Sequence, residues 1–352
     1  MTGLGIGIGV GVASTRSAAP VSLLTPSTTT PSTATSSPSS SSSSASTGSI
    51  ADAVDPAIVD VTTTLAGGQG RAAGTGMVLT SSGEVLTNNH VIAAAQSISV
   101  QIPSTGATYS AQVLGYDVTH DVALLKLDGA SGLTTINAAQ SSSVSVGQSV
   151  VALGNALGQG GTPAETSGSI IATGQTVTAS DATGASETLT GLIEFDAPIQ
   201  PGDSGGPLVN SSGQVIGMDT AALQGGFRQS SASTVAYAIP IDTAMSIVKQ
   251  IESGTSTSTV HVGTRAVLGV SVEDAAGGVT VAGVQSSSGA ANAGIVAGDV
   301  ITSVDGTAVS TVSDLGNALR SQSVGDKVTV VWTDASGAQH RATVTLTAGP
   351  PA

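Results

Sequence analysis

The residues with chemical potential sit in three short runs. The first is Gln200-Pro201-Gly202-Asp203-Ser204-Gly205-Gly206-Pro207-Leu208. Its serine has glycine two positions before it and at the next two positions. Glycine permits the positive-φ, tightly turned backbone that would present Oγ and let the Gly202 and Ser204 amides converge on one point. Two convergent amides are what a developing oxyanion requires. The second run is Leu86-Thr87-Asn88-Asn89-His90-Val91-Ile92, where a histidine follows a strand-like stretch at the start of a turn. The third is Thr119-His120-Asp121-Val122-Ala123-Leu124-Leu125, where an aspartate precedes an apolar strand. Nucleophile, base and orienting carboxylate are thus available as Ser204, His90 and Asp121. His120 competes for the base. Neighbours in extended chain point to opposite sides, so His120 and Asp121 do not readily share one pocket, which favours His90.

The chain order His90, Asp121, Ser204 is that of the barrel-type serine hydrolases. The order serine, acid, histidine is not available, because no suitable Asp–His pair follows Ser204 and no strand–helix alternation surrounds it.

The elements that must position these residues are legible from texture. Short runs rich in Val, Ile and Thr, bounded by Gly, Ser or Asn, recur at residues 73–80, 97–102, 111–116, 123–127, 149–153, 192–196 and 214–220. Such spacing predicts a barrel or sandwich. Ile241, Ala244, Met245, Val248 and Ile251 recur at helical spacing and predict a helix over 241–252, with Asp242 in its first turn and Gly254 after its end. A second texture begins near Gly263, with several strands and two short helical stretches, 290–293 and 312–320.

The chain of 352 residues therefore reads as an apolar Gly-rich segment (1–13), a Ser/Thr/Pro tract (14–49), a β-rich domain (50–252), a polar link (253–262) and a smaller module (263–348). Residues 3–13 are too few to span a bilayer, which takes roughly 20, and they lack a basic flank. They read as the end of a longer membrane or signal segment, or as a Gly-rich tail. The tract behind them has too little apolar surface to offset ordering entropy and reads as a solvated tether.

Nine Lys and Arg against 23 Asp and Glu, a net charge of −14, leave no basic patch for nucleic acid. With no cysteine and four histidines, thiolate and zinc-thiolate chemistry are excluded, and no metal-ligand motif is present. No cofactor is called for.

Taken together, these runs resemble the HtrA (DegP-like) family of trypsin-fold serine proteases with a C-terminal PDZ domain, of the membrane-tethered actinobacterial type, over about residues 52–347. Tyr237-Ala238-Ile239-Pro240 resembles the strand end that closes the family's protease domain. Ala293-Gly294-Ile295, Ala297-Gly298-Asp299-Val300-Ile301 and Asp305-Gly306 resemble the PDZ core.

The resemblance implies a mostly β chain: two six-stranded chymotrypsin-like barrels with the site between them, followed by a small α+β PDZ domain. It implies a serine endopeptidase acting on unfolded or damaged extracytoplasmic proteins in protein quality control, tethered to a membrane or secreted. His90 would take the Ser204 proton, so activity should rise through roughly pH 6–7. The Gly202 and Ser204 amides would hold the oxyanion. Ile199, Met218 and Thr220 would line an S1 pocket for small or medium aliphatic residues, with Asp219 as the discordant neighbour. Leu268, Gly269 and Val270, with Leu315 and Leu319, would bind apolar C-terminal peptides, and the protein would be a homo-oligomer, a trimer by family precedent. Residues 223–234, with Phe227 and Arg228, resemble an activation loop. Asp203 departs from the asparagine many members carry, and what balances it is open. The competing expectation is a proteolytically inactive PDZ chaperone or scaffold.

Overall fold

The computed structural model describes residues 47–65, 70–155, 158–180, 186–221, 235–275 and 277–351. The apolar segment 1–13, nearly all of the tract 14–49 and the loop 223–234 lie outside the described residues. Helix α1 (Thr47–Val54) opens the described chain. It begins inside the tract read as a tether, because Ile50, Ala51 and Val54 find a core to pack on.

The first barrel is built from β1 (Ile58–Leu65), β2 (Arg71–Val78), β3 (Glu84–Thr87), β4 (Ala95–Ile102), β5 (Ala107–Asp117) and β6 (Val122–Leu127), with the short helix α2 (Asn89–Ile92) between β3 and β4. The order is β5-β4-β1-β2-β3-β6, and β5 pairs with β6 to close it. The second is a closed six-stranded barrel of β7 (Ser149–Gly154), β8 (Ala164–Ser180), β9 (Ser186–Phe195), β10 (Pro207–Asn210), β11 (Val215–Thr220) and β12 (Ala236–Pro240), in the order β10-β11-β12-β9-β8-β7.

Strand alternation divides the apolar residues between three cores. Val59, Val61, Val78, Val85, Leu125 and Leu127 fill the first barrel. Val150, Ala152, Ile170, Ile193, Phe195 and Ala238 fill the second. Their strand neighbours turn the other way. Ile58, Met77, Leu86, Val122 and Leu124 meet Val151, Leu153, Met218 and Ile239 in a cluster that joins the barrels. Helix α3 (Ile241–Glu252) occupies the span its periodicity predicts and adds Ile241, Ala244, Val248 and Ile251 to that cluster. Aliphatic side chains of modest volume fill barrels of this size, which is how a chain with 2% aromatics forms them.

The polar link is in part a strand. Its last residues form β13 (Val260–Val262), which pairs with residues 115–117 of β5 and adds a seventh strand to the first sheet. Val260 is the apolar residue that makes this worthwhile, being 1% exposed against the inter-barrel cluster.

The C-terminal domain has β14 (Ala266–Val267), β15 (Val270–Ala275), β16 (Gly278–Val284), α4 (Gly289–Asn292), β17 (Val300–Val304), β18 (Thr307–Ala308), α5 (Val312–Leu319), β19 (Lys327–Thr333), β20 (Gln339–Thr345) and β21 (Thr347–Ala348). The sheet runs β15-β16-β17-β19-β20, leaving β15 as an edge, and β14 pairs with β21. Helix α5 starts on a capping box formed by Thr311 and Asp314. The core gathers Val279, Ile301, Leu315, Val330 and Val344 around Trp332, the only tryptophan, which stacks on His340 at 5.5 Å. Beyond β21 the chain returns to the first barrel, where the Ala94 amide donates to the Pro351 carbonyl at 3.0 Å.

Candidate active site

Helix α2 is one turn long and carries His90 immediately after β3, a strand held between β2 and β6. Asp121 lies at the end of the turn between β5 and β6, with φ 54°. The left-handed region costs a non-glycine residue roughly 1–2 kcal/mol, and the surroundings hold it there. The Asn88 side-chain amide donates to the Asp121 carbonyl at 2.9 Å. The carboxylate, 1% exposed, receives His90 Nδ1 on Oδ2 at 2.8 Å and the His90 backbone amide on Oδ1 at 2.9 Å. Thr220 Oγ1 donates to Oδ2 from the second barrel at 3.3 Å. Asp121 thus fixes the His90 ring, directing Nε2 away from the carboxylate.

His120 is placed differently from the reading by alternation. Residues 118–121 form a turn, not an extended strand, so alternation does not apply there. His120 Nδ1 meets Asp117 Oδ2 at 2.8 Å, and Asp117 Oδ1 also accepts the Thr119 amide at 2.8 Å and the His120 amide at 3.1 Å. This second His–Asp pair braces the turn that presents Asp121.

Ser204 sits in the loop between β9 and β10, 4% exposed. Gly202 has φ 104° and Gly205 φ 87°. A Cβ on Gly205 would lie 2.1 Å from the Thr75 carbonyl oxygen, and one on Gly206 2.1 Å from that of Leu153, so neither position accepts a side chain. Asp203 N donates to Gln200 O at 3.0 Å and Gly206 N to Asp203 O at 2.9 Å, which closes the turn. Among the described residues, the amides of Gly202 and Ser204 have no acceptor.

The first barrel also holds this loop. Thr75 N donates to Ser204 O at 2.8 Å, and Thr75 Oγ1 donates to Gly202 O at 2.7 Å while accepting Asn155 N at 2.8 Å. Thr75 was not singled out in the sequence, because a threonine in a strand is ordinary and its partners lie far along the chain.

Two features bring the three residues together. The end of β11 and the residue after it supply consecutive ties: Thr220 to Asp121, and then the Ala221 amide to Ser204 Oγ at 3.0 Å. In that bond Oγ is the acceptor, so its proton stays free to be given away. Gly74 is the second feature. A Cβ there would lie 2.6 Å from the Val91 side chain and 3.2 Å from Ser204 O, so α2 and the serine loop flank one glycine.

The other candidates fall as follows. Ile199, 3% exposed, packs inside the second barrel. Met218 belongs to the inter-barrel cluster, and the Thr220 hydroxyl is committed to Asp121. Asp219 lies between them, fully buried. In the C-terminal domain, Leu268, Leu315 and Leu319 are core residues and Val270 is half-buried. Gly269 has φ 80°, and a Cβ there would lie 2.2 Å from Ser288 Cβ. The Leu268 and Gly269 carbonyls accept Ala290 N at 3.0 Å and Gln285 N at 2.8 Å, while their amides have no acceptor among the described residues.

Two barrels meeting at a histidine, an aspartate and a glycine-bound serine define a trypsin-fold peptidase, here followed by a peptide-binding type of module. Comparison with known families agrees: residues 74–218 match the trypsin-like peptidase domain and residues 266–333 the PDZ domain. The chain is 34% identical to serine protease PepD of Mycobacterium tuberculosis over 84% of its length and 65% of that protein's. It is 33% identical to a probable periplasmic serine endoprotease, DegP-like, of Pseudomonas fluorescens, over 74% of this chain and 53% of the other. The solved HtrA-type protease AlgW with a tripeptide superposes with a TM-score of 0.52 at 30% identity, covering 87% of this chain and 98% of that one. The chain belongs to the HtrA-type serine proteases that carry a PDZ domain. It spans about two thirds or less of the length of the curated relatives described above.

Proposed function

We propose that the chain is a serine endopeptidase with His90, Asp121 and Ser204 as its catalytic residues. His90 Nε2 takes the Ser204 proton as Oγ attacks a peptide carbonyl. The amides of Gly202 and Ser204, which lack acceptors among the described residues, hold the oxyanion. His90 then protonates the leaving amine, and water repeats the sequence on the acyl-enzyme. Asp121 keeps the imidazole in one tautomer and stabilises it when charged. The observation that carries this reading is the arrangement of Asp121. It takes both the ring and the backbone donor of His90, while Thr220 at the end of β11 and the next residue, Ala221, tether it and Ser204.

The substrates are unfolded or damaged proteins outside the cytoplasm, as the periplasmic relative suggests, and cleavage follows small or medium aliphatic residues. The PDZ domain takes apolar C-terminal peptides, whose carboxylate meets the open amides of Leu268 and Gly269 and whose backbone adds to the exposed edge of β15. The working form is a homo-oligomer, a trimer on the family's precedent.

Casein degradation by the parent and by Ser204→Ala, with labelling by a fluorophosphonate probe, tests the assignment. Degradation and labelling by the parent alone are expected. A parent that neither labels nor degrades casein, with or without apolar C-terminal peptides, would leave only the scaffold reading.

A further inference from the structure

The residue before the nucleophile is a buried acid, and it has a second acid for company. Asp203 is 6% exposed and Asp219 is fully buried. Asp203 Oδ2 accepts the Gln200 amide at 2.7 Å, but its Oδ1 is buried without a partner, and so are both carboxyl oxygens of Asp219. Three orphaned carboxyl oxygens, one on the residue before Ser204 and two on Asp219, call for compensation.

The backbone ties the two acids to the same turn. Gly205 N donates to Asp219 O at 2.9 Å and Asp219 N to Gly206 O at 2.8 Å, so β11 flanks the glycines that follow Ser204. Asp219 lies opposite Ala238 of β12, facing the interior of the second barrel. Thr220, its neighbour, turns the other way toward Asp121.

Among the described residues no cation is at hand. The other residues on this face are Ala236 and Ala238 of β12 and Ile193 and Phe195 of β9, all apolar. Tyr237 and Glu194 pair with each other on the opposite face. From β7 the near group is Gly154, where a Cβ would lie 2.7 Å from Asp203 Oδ1. From β2 it is the uncharged Thr75. The ion pairs among the described residues are all between His and Asp, and none includes Asp203 or Asp219. What remains is a proton.

We propose that Asp219 is a positioning residue for the nucleophile turn: as a neutral acid it donates a hydrogen bond to Asp203 Oδ1 and so holds the Gly202–Ser204 backbone in its open-amide form. The pair keeps one proton and one negative charge. The charge is met by the Gln200 amide and the shared proton, and no metal or terminal amine is needed. Burial, then the charge of Asp203, pushes the Asp219 carboxyl well above the ordinary carboxylate range, and burial also raises Asp203 against the opposing Gln200 amide. Taking the shared proton away would leave two like charges in a dry site beside Ser204. The enzyme therefore has an alkaline limit of activity that belongs to this pair and not to His90.

The inference rests on Ser204 as nucleophile, and two measurements test it. The first is the pH–rate profile of peptide hydrolysis by the parent, Asp219→Asn and Asp219→Ala. The amide of asparagine can still donate and cannot ionise. Asp219→Asn should keep the parent's low-pH rate within about threefold and carry its activity at least about one pH unit further into alkali. Asp219→Ala, with no donor, should lose about tenfold or more at every pH. Superimposable profiles for parent and Asp219→Asn would overturn the proposal, as would full activity in Asp219→Ala or a folded but inactive Asp219→Asn. The second is difference infrared spectroscopy at neutral pH on Ser204→Ala with and without Asp219→Asn. A protonated carboxyl band that vanishes with the second substitution is expected, and its absence would overturn the proposal. This band reports the shared proton whether or not Ser204 is the nucleophile, so the two readings fail separately.

Discussion

Asp121 does three jobs with one carboxylate, and two of them can be probed separately. Asp121→Asn keeps the shape but offers an amide where His90 Nδ1 needs an acceptor, and kcat should fall about 10⁴-fold, as expected for a lost tautomer. Thr220→Val removes only the donor from β11. The expected loss is smaller, about tenfold in kcat with KM unchanged, since it weakens the support of a group that acts only through His90. Steady-state kinetics on one peptide substrate separates the two; equal losses would mean that Thr220 matters for more than this bond. His90, Asp121 and Ser204 were legible in the sequence because each stands in a run that chemistry constrains, above all the glycines around Ser204. Asn88 and Thr75 were not, because their types are ordinary for a cap and a strand. Their partners are also remote, 127 residues away for Thr75 and Gly202.

At the scale of elements, the second barrel presents Ser204, the proposed nucleophile, and a strand of the first holds its loop in place. Thr75→Val deletes one hydroxyl and leaves the Gly202 carbonyl and the Asn155 amide buried without partners. Each orphan costs about 1–3 kcal/mol, so the variant should lose several degrees of Tm and at least about tenfold in kcat, measured by calorimetry and peptide hydrolysis. Strand β1 gives a prediction of opposite sign. Burial pushes the Asp60 carboxyl from 3.8 to about 6, against the opposing Gly161 amide. The folded state therefore binds its proton more tightly than the unfolded chain, and stability falls as pH rises from about 4 to 6. Asp60→Asn should remove this loss, raising stability above pH 6 by up to about 3 kcal/mol and changing little near pH 4. Urea unfolding at both pH values checks it. Several strands and α3 followed from apolar patterning, which left barrel and sandwich both open; the two barrels followed from the family resemblance. Strand β13 did not, because three residues after a polar tract carry no periodicity; its place is set by pairing with β5, which sequence alone does not display.

At the scale of the molecule, β13 and the Pro351 carbonyl hold the PDZ side of the chain to the first barrel at two places, one beside β5 and one at the turn that follows His90. Val260→Asp should break the first by placing a charge in the inter-barrel cluster, and limited proteolysis should then cut residues 253–262 several times faster than in the parent. An unchanged cutting rate would show that the strand does not protect the link.

The lone indole gives the two parts of the protein different optical voices. Trp332 is 5% exposed in the PDZ core, stacked on His340, and the barrels have none. Emission near the red edge follows melting of the C-terminal domain only, while hydrolysis of a reporter peptide follows the barrels. Recorded side by side during one heating ramp, the two signals tell whether the domains come apart together or in turn, with no label attached to either.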